Sequence, residues 1–267
     1  MRWMVRSDME GLTGVVRMNQ VVPGASEYEF GRNMLTHDLN ALLEGLLLEE
    51  DDEVIVYDIH FFGTNIELDG LDPRVKVICG KPNYTPHNKG WLQQKYDGVI
   101  LLGLHARSGV PDAVLAHNYE HDITRMTLNG TVVGEIGLEA AAAGEAGVPV
   151  VMVTGDSEGI KEAEELLPGV LTVTVKQSTG SESALCDPPS LTSERLRKGA
   201  ASCRERAAVL QPYVVDGPVE LAMSFRQGEL LHKLHSRLGD RFCSPDTMVL
   251  RGSSVLEVWE TYLQAKA

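Results

Sequence analysis

The 267-residue sequence lacks the usual marks of membrane and secreted proteins. It contains no run of 18 apolar residues, so no transmembrane helix is expected. Its N-terminus has no basic region, apolar core or small-residue cleavage site, so no signal peptide is expected either. Its four cysteines never occur in Cys-x-x-Cys spacing, which argues against a disulfide framework and a structural zinc knuckle. These absences favour a cytoplasmic protein.

Basic residues are scarce as well. Lysine and arginine number 24 against 38 aspartate and glutamate residues, which gives a formal net charge of −14. Such a charge repels phosphate backbones and anionic headgroups, so we expect neither nucleic-acid binding nor membrane binding. No glycine-rich phosphate loop is evident. The acidic excess fits a site that gathers carboxylates around cations, although most of it, including the run at 49–53, is expected on the solvated surface.

The pattern along the chain indicates the fold class. A hydrophobic content of 43% is enough for one large domain, or for one domain with a subdomain. Strand and helix patterns alternate up to about residue 177, which predicts an α/β fold with a mainly parallel sheet flanked by helices. We expect a metal-binding α/β domain at 1–177 and a smaller C-terminal α+β subdomain at 178–267.

The individual segments follow from periodicity and from turn signals. The dipeptide Asn129-Gly130 lies between two apolar runs and predicts a hairpin. The predicted strands are 1–5, 53–57, 74–78, 96–102, 123–128, 131–133, 148–153, 170–175 and 219–225, with a polar loop at 82–89. The predicted helices are 26–48, 134–145, 160–167, 193–210 and 255–264.

Two carboxylates follow the first predicted strand. In residues 4–11, MVRSDMEG, Asp8 and Glu10 lie two positions apart where the strand ends. Side chains alternate along a strand, so both acids are expected on one face, and Gly11 allows a sharp turn directly after them. Two like charges at the end of a buried strand repel each other, and a metal ion is the leading candidate to neutralise them. The alternative is that the two acids only cap a loop.

Two histidines occupy the equivalent position after other predicted strands. His60 ends the sequence DIH after the second strand, and His105 ends the sequence GLH after the strand at 96–102. The carboxyl ends of parallel strands meet at one edge of a sheet, which is where open α/β sheets bind ligands. Three strand ends that each carry a metal-type ligand strengthen the prediction of a metal site at that edge.

Glu135 and His117 complete the candidate set. Glu135 lies in VGEIG, where the hairpin passes into a helix; a glutamate there ordinarily serves only the helix dipole, but the flanking glycines indicate close backbone approach. His117 lies in a loop or edge strand after His105. His121 is interpreted as a surface or supporting residue. Arg107 could bind a substrate carboxylate or form an internal salt bridge.

Together these motifs resemble the D-aminopeptidase family of binuclear zinc peptidases, the DppA-like enzymes. The order and approximate spacing match over roughly residues 1–180 through SDMEG, DIH, GLHAR, His117 and VGEIGL. The resemblance implies two Zn²⁺ ions per chain with His117 as the catalytic residue beside them, a homo-oligomer that could be a ring, and a preference for a D-configured N-terminal residue. Where the family often carries asparagine, this chain has Glu139, which bears on nearby substrate contacts. The implied metal ligands are Asp8, Glu10, His60, His105 and Glu135.

The predicted function is therefore a zinc-dependent aminopeptidase that hydrolyses the N-terminal residue, D-configured by resemblance, from short peptides. Two ions roughly 3.5–4 Å apart can deprotonate a shared water at neutral pH for attack on the peptide carbonyl. Asp8 is the expected bridge between the ions, and His117 either stabilises the oxyanion or protonates the leaving amine. The alternatives are another metal-assisted amidase or hydrolase, and a non-catalytic metal-containing binding protein.

Overall fold

A computed structural model describes residues 1–80 and 84–267, so the predicted loop at 82–89 begins outside the described residues. The described residues form eleven β-strands and seven α-helices. The strands are β1 (Arg2–Ser7), β2 (Glu53–Asp58), β3 (Val75–Ile78), β4 (Gly98–Leu104), β5 (Ile123–Leu128), β6 (Thr131–Val133), β7 (Val150–Asp156), β8 (Leu171–Gly180), β9 (Ser183–Cys186), β10 (Val219–Phe225) and β11 (Thr247–Gly252). The helices are α1 (Tyr28–Leu46), α2 (Glu135–Glu145), α3 (Ser157–Leu166), α4 (Pro189–Ala201), α5 (Cys203–Ala207), α6 (Glu229–Leu238) and α7 (Val255–Lys266). In this part of the chain, no helix combines the length and the apolar character that crossing a bilayer requires.

Seven of the described strands form one sheet in the order β3-β2-β1-β4-β7-β8-β9. Every neighbouring pair is parallel except β8 and β9, which form an antiparallel hairpin at one edge. The predicted α/β fold with a mainly parallel sheet is confirmed.

Both faces of this sheet are covered, which explains the continuous apolar runs of its central strands. All seven residues of β4 are buried. Along β1, Met4 packs into the core that contains α2 and α7, whereas Trp3 and Val5 pack into the opposite core with α1 and α4. The alternation of side chains along each strand therefore supplies apolar groups to two separate cores.

The other four described strands form an antiparallel sheet in the order β11-β10-β5-β6. β5 and β6 are the predicted hairpin at the predicted bounds, and Asn129 (φ 46°) and Gly130 (φ 82°) have the left-handed backbone of its tight turn. This sheet packs with α7 on the α2 side of the large sheet. The division into 1–177 and 178–267 stays a prediction. The two sheets do not follow this division. β5 and β6 lie in one sheet with the C-terminal strands β10 and β11, whereas β9 belongs to the large sheet and α4 packs on it.

The predicted helix at 193–210 was wrong in its bounds. The structure has two helices there, and α4 begins earlier, at Pro189, because proline suits the first turn of a helix. α4 ends at Ala201, where the Ser202 amide donates to the Gly199 carbonyl at 3.1 Å. This tighter i→i+3 bond interrupts the α-helical hydrogen bonding before α5 begins.

The loop after β1 also differs from the expectation. β1 ends one residue before Asp8, so Asp8 and Glu10 lie in the loop and do not share a strand face by alternation. The loop instead folds over the end of β4, where the Asp8 amide donates to the Leu102 carbonyl at 2.8 Å. A Cβ atom at Gly11 would lie 1.8 Å from the Leu104 carbonyl oxygen, so this close approach requires glycine.

Candidate metal centre

The carboxyl ends of three neighbouring strands, β2, β1 and β4, bring the predicted site residues together. Asp8 and Glu10 follow β1, His60 follows β2, and His105 follows β4. Glu135 is the first residue of α2. All five side chains are buried, and Glu135 is the most accessible of them at 6% exposure. Five residues from four separate segments therefore form one buried cluster.

The ligand atoms of this cluster lie close enough to share metal ions. His60 Nδ1 is 2.8 Å from Asp8 Oδ1 and 3.2 Å from Glu10 Oε2. His105 Nε2 is 3.5 Å from Asp8 Oδ2 and 3.3 Å from Glu135 Oε1. The two oxygens of Asp8 thus face different histidines, one on each side. Two groups have ligand atoms that all lie within 4.8 Å of one another, namely Asp8, Glu10 and His105, and His105, His117 and Glu135.

Each histidine at the site has one ring nitrogen bonded to a backbone carbonyl. A carbonyl oxygen only accepts, so that nitrogen carries the proton. The opposite nitrogen of each ring faces the carboxylates, and in its deprotonated form it is the nitrogen that can bind a metal. The three bonds are His60 Nε2–H to Val21 O (2.8 Å), His105 Nδ1–H to Ala106 O (3.0 Å) and His117 Nδ1–H to Leu115 O (2.8 Å).

The concentration of buried carboxylates perturbs the titration of the whole cluster. Burial raises the pKa of Asp8, and the adjacent Glu10 raises it further, to about 7. Burial alone would lower the pKa of His105, but the Glu135, Asp8 and Glu10 carboxylates outweigh it and raise the pKa to about 10. Both shifts show that an added positive charge, such as a proton, is favourable within the cluster.

The donor set fits divalent metal ions. Glu10 Oε2 and His105 Nε2 are buried and have no hydrogen-bond partner of acceptable geometry among the described residues. Buried polar atoms of this kind are costly unless a ligand binds them. Zinc binds mixed sets of histidine nitrogens and carboxylate oxygens, and three carboxylates with several imidazoles are sufficient for two ions.

His117 lies at the edge of the cluster. Its ring stacks on that of His105, with centroids 4.3 Å apart, and on its other side on exposed His121, with centroids 4.4 Å apart. Its Nε2 is 4.0 Å from Glu135 Oε1. Burial and the neighbouring His105 lower the pKa of His117, which favours a neutral ring with a free lone pair. His117 as a catalytic residue stays a prediction.

Four residues of the cluster, all except His105, line an open cavity of about 420 Å³. This volume is within the usual range of small-molecule sites. Phe61 and Phe62 form part of the wall, and Lys266 of α7 lines it beside Glu120, its ion-pair partner. Arg107 forms the internal salt bridge that was one of its two expected roles, with Nη1 3.3 Å from Glu162 Oε2.

Sequence reasoning missed a buried polar network behind the site. Glu139, one helical turn after Glu135, forms an ion pair with Arg6 of β1 and accepts hydrogen bonds from the Tyr84 hydroxyl (3.0 Å) and the Tyr119 hydroxyl (2.9 Å). The Tyr119 amide in turn donates to Glu135 Oε1 at 2.7 Å. The available signal was Arg6, a charged residue that directly follows the apolar run at 3–5 in a strand expected to be buried. Through Tyr119, the network therefore reaches Glu135, a residue of the cluster.

Comparisons with known proteins agree with this geometry. The family model described as D-aminopeptidase matches residues 1–263. A D-aminopeptidase of Bacillus subtilis (strain 168) is 32% identical over 218 residues, which cover 82% of this chain and 79% of that protein. A solved structure described as Zn-dependent D-aminopeptidase DppA from Bacillus subtilis, a self-compartmentalizing protease, has a TM-score of 0.90 at 28% identity and covers 99% of this chain and 96% of its own. Because the family model spans nearly all of the sequence, this chain belongs to the D-aminopeptidase family.

Proposed function

We propose that this protein is a zinc-dependent D-aminopeptidase that removes the N-terminal residue from short peptides. The observation that carries the proposal is the buried cluster of three carboxylates and two histidines, with His117 beside it and an open cavity next to it, in a chain of the D-aminopeptidase family. The Zn-dependent relative of the same fold supports zinc as the metal.

We infer two zinc ions per chain. Asp8 is suited to bridge them, because its two oxygens face His60 on one side and His105 on the other. When bound, zinc polarises a carbonyl oxygen and lowers the pKa of a water molecule. The proposed ligands are Asp8, Glu10, His60, His105 and Glu135.

His117 is proposed as the acid–base group beside these ligands. The Leu115 carbonyl fixes its tautomer, so the lone pair of Nε2 is directed toward Glu135. A neutral ring at this position can take up a proton during attack and return it to the leaving amine. His121 stacks on the outer face of the ring and limits its rotation.

The first experiment counts metal ions. Protein purified without chelator should contain two zinc ions per chain by elemental analysis, and Asp8→Ala should lose both if Asp8 bridges them. Asp69→Ala removes an exposed acid and is the matched control, which should retain both ions. A wild-type protein that binds no divalent metal would refute the proposed centre, and loss of one ion from Asp8→Ala would refute the bridge.

The second experiment compares three peptides on the metal-loaded protein. These are a short peptide with a D-configured first residue, its counterpart with an L-configured first residue, and the D-peptide acetylated at its N-terminus. The D-peptide should be cleaved fastest, and acetylation should slow cleavage strongly because it removes the basic amine and adds bulk at the buried end of the cavity. Equal rates on free and acetylated peptides would identify a general amidase instead.

We also propose that the enzyme is a homo-oligomer. The support is the relative of the same fold that is described as a self-compartmentalizing protease. A closed assembly, in the form of a ring for example, would admit short peptides to the cavities and exclude folded proteins.

A further inference from the structure

Lys176 of β8 is a buried lysine that the proposed chemistry does not use. Its side chain is 1% exposed. Its ammonium group donates to the backbone carbonyls of Glu10 (2.6 Å), Leu12 (2.8 Å) and Val15 (2.5 Å). The three N–H donors of a lysine ammonium are thus all directed to one segment, the loop that follows β1.

The ammonium group supplies hydrogen-bond donors to backbone carbonyls of this loop. The loop has no strand partner for these carbonyls, and buried carbonyls without a partner destabilise the fold. β8 is the third strand away from β1 in the sheet order β1-β4-β7-β8, so the loop extends along the edge of the sheet to reach Lys176. One cation thereby donates to all three carbonyls, of which that of Leu12 also accepts a longer bond from the Val15 amide (3.3 Å), and the loop carbonyls in turn solvate the buried charge.

The contacts of Lys176 bear on Glu10 more than on Asp8. Asp8 directly follows β1, and its own amide is bonded to the Leu102 carbonyl of β4. Glu10 lies two residues further from the strand, and its carbonyl is one of the three that Lys176 binds. The next amide, that of Gly11, donates to the Gly103 carbonyl at 2.8 Å. The backbone of Glu10 is therefore held between the end of β4 and the ammonium of Lys176.

We propose that Lys176 is a positioning residue of the metal centre: by binding three carbonyls of the loop at 10–15, it holds the Glu10 carboxylate in place as a ligand. The inference rests on the proposed function in that Glu10 is taken to bind metal. It assigns to Lys176 no contact with substrate and no part in proton transfer.

The test measures metal binding in Lys176→Met, which keeps an unbranched side chain only one atom shorter and removes the ammonium. Zinc affinity is measured by competition with a chromophoric chelator, and the visible spectrum of the Co²⁺-loaded protein reports ligand geometry. We expect one ion to bind about 10- to 100-fold more weakly, the usual effect of removing a group that supports a ligand. The Co²⁺ spectrum should change in the same direction as in Glu10→Gln.

The matched control is Val175→Ala, which creates a small cavity at the neighbouring buried residue of the same strand. It should lower the melting temperature but keep the zinc affinity and the Co²⁺ spectrum of the wild type. Equal weakening of zinc binding in both variants, or an unchanged affinity in Lys176→Met, would overturn the proposal. If Lys176→Met does not fold, Lys176→Gln decides the question by the same comparison. A wild-type protein without zinc would instead refute the proposed function.

Discussion

Arg6 and Glu139 illustrate how single residues behind the site contribute to its stability. Both are buried, and two tyrosine hydroxyls complete the bonding of the carboxylate. A buried ion pair adds little to the free energy of unfolding compared with well-packed apolar residues. Removal of one partner, however, leaves the other charge uncompensated in the interior. The pair therefore makes the position sensitive to substitution without making the protein unusually stable.

We expect Glu139→Gln to destabilise the protein by about 3–5 kcal/mol, because it leaves the Arg6 guanidinium buried without a counter-charge. Urea unfolding followed by circular dichroism measures the loss. Glu158→Gln removes one partner of an i,i+3 pair with the exposed Lys161 and is the control, for which a change below about 1 kcal/mol is expected. Similar losses of unfolding free energy in the two variants would show that the buried pair contributes no more than the exposed pair.

His117 gives a second prediction for a single residue. His117→Ala should lower kcat by about 10²–10⁴-fold, the usual contribution of a positioned acid or base, and should leave zinc content unchanged. Steady-state kinetics together with elemental analysis measure both quantities. His121→Ala removes only the stacked outer ring and should have a much smaller effect. If zinc is lost from His117→Ala in proportion to activity, His117 is a ligand.

Elements whose position is determined by neighbouring residues could be predicted more closely than elements that depend on distant contacts. The hairpin of β5 and β6 was predicted at its bounds because Asn129-Gly130 specifies a turn that the neighbouring residues alone determine. The strands that precede His60 and His105 were recognisable from apolar runs, and their shared edge followed from parallel topology. β9 could not be predicted, because three of its four residues are exposed and show no apolar alternation.

The parts of the site that remained hidden depend on contacts between distant segments. Lys176 meets Glu10 across 166 positions, and Arg6 meets Glu139 across 133. Neither pair has a spacing that a single sequence can reveal, since only the fold brings the segments together. The cluster itself was predictable for the opposite reason: each of its proposed ligands lies within three residues of the end of a strand or begins a helix.

The junction between the β1 loop and the end of β4 gives a prediction for these elements. Gly11→Ala should destabilise the protein and weaken metal binding, because the new Cβ atom would overlap the Leu104 carbonyl and displace the loop that carries Glu10. Gly239→Ala is the control, since a Cβ atom there meets nothing within 4 Å and φ is −57°. Measurements of the melting temperature and of the zinc affinity distinguish the two variants. Wild-type values for both quantities in Gly11→Ala would contradict the described packing.

At the scale of the whole molecule, two sheets contribute to a single site. The large sheet supplies the strand ends that carry Asp8, His60 and His105, and the hairpin of the small sheet leads directly into α2 with Glu135. Lys266, near the end of α7, lines the same cavity. Segments from the beginning, the middle and the end of the chain must therefore fold together before the cavity exists, and a partly folded chain cannot hold the complete ligand set.

The proposed homo-oligomer gives the last prediction. Phe62 and Leu68, in the segment that follows β2, are 66% and 59% exposed in the single chain. Large apolar side chains with this exposure are common at subunit interfaces, and Phe62 also lines the mouth of the cavity. An assembly that covers this segment would enclose the cavities and restrict them to short peptides.

We therefore expect light scattering coupled to gel filtration to give a mass of at least twice 29.2 kDa, in a whole-number ratio to it, at micromolar concentration. Phe62→Ser should shift the distribution toward smaller species if this segment lies in the interface, whereas Val209→Ser, another exposed apolar residue at 65%, serves as the control. A stable single species of 29.2 kDa in the wild type would refute the assembly. In that case the proposed preference for short peptides would have to come from the 420 Å³ cavity of each chain alone.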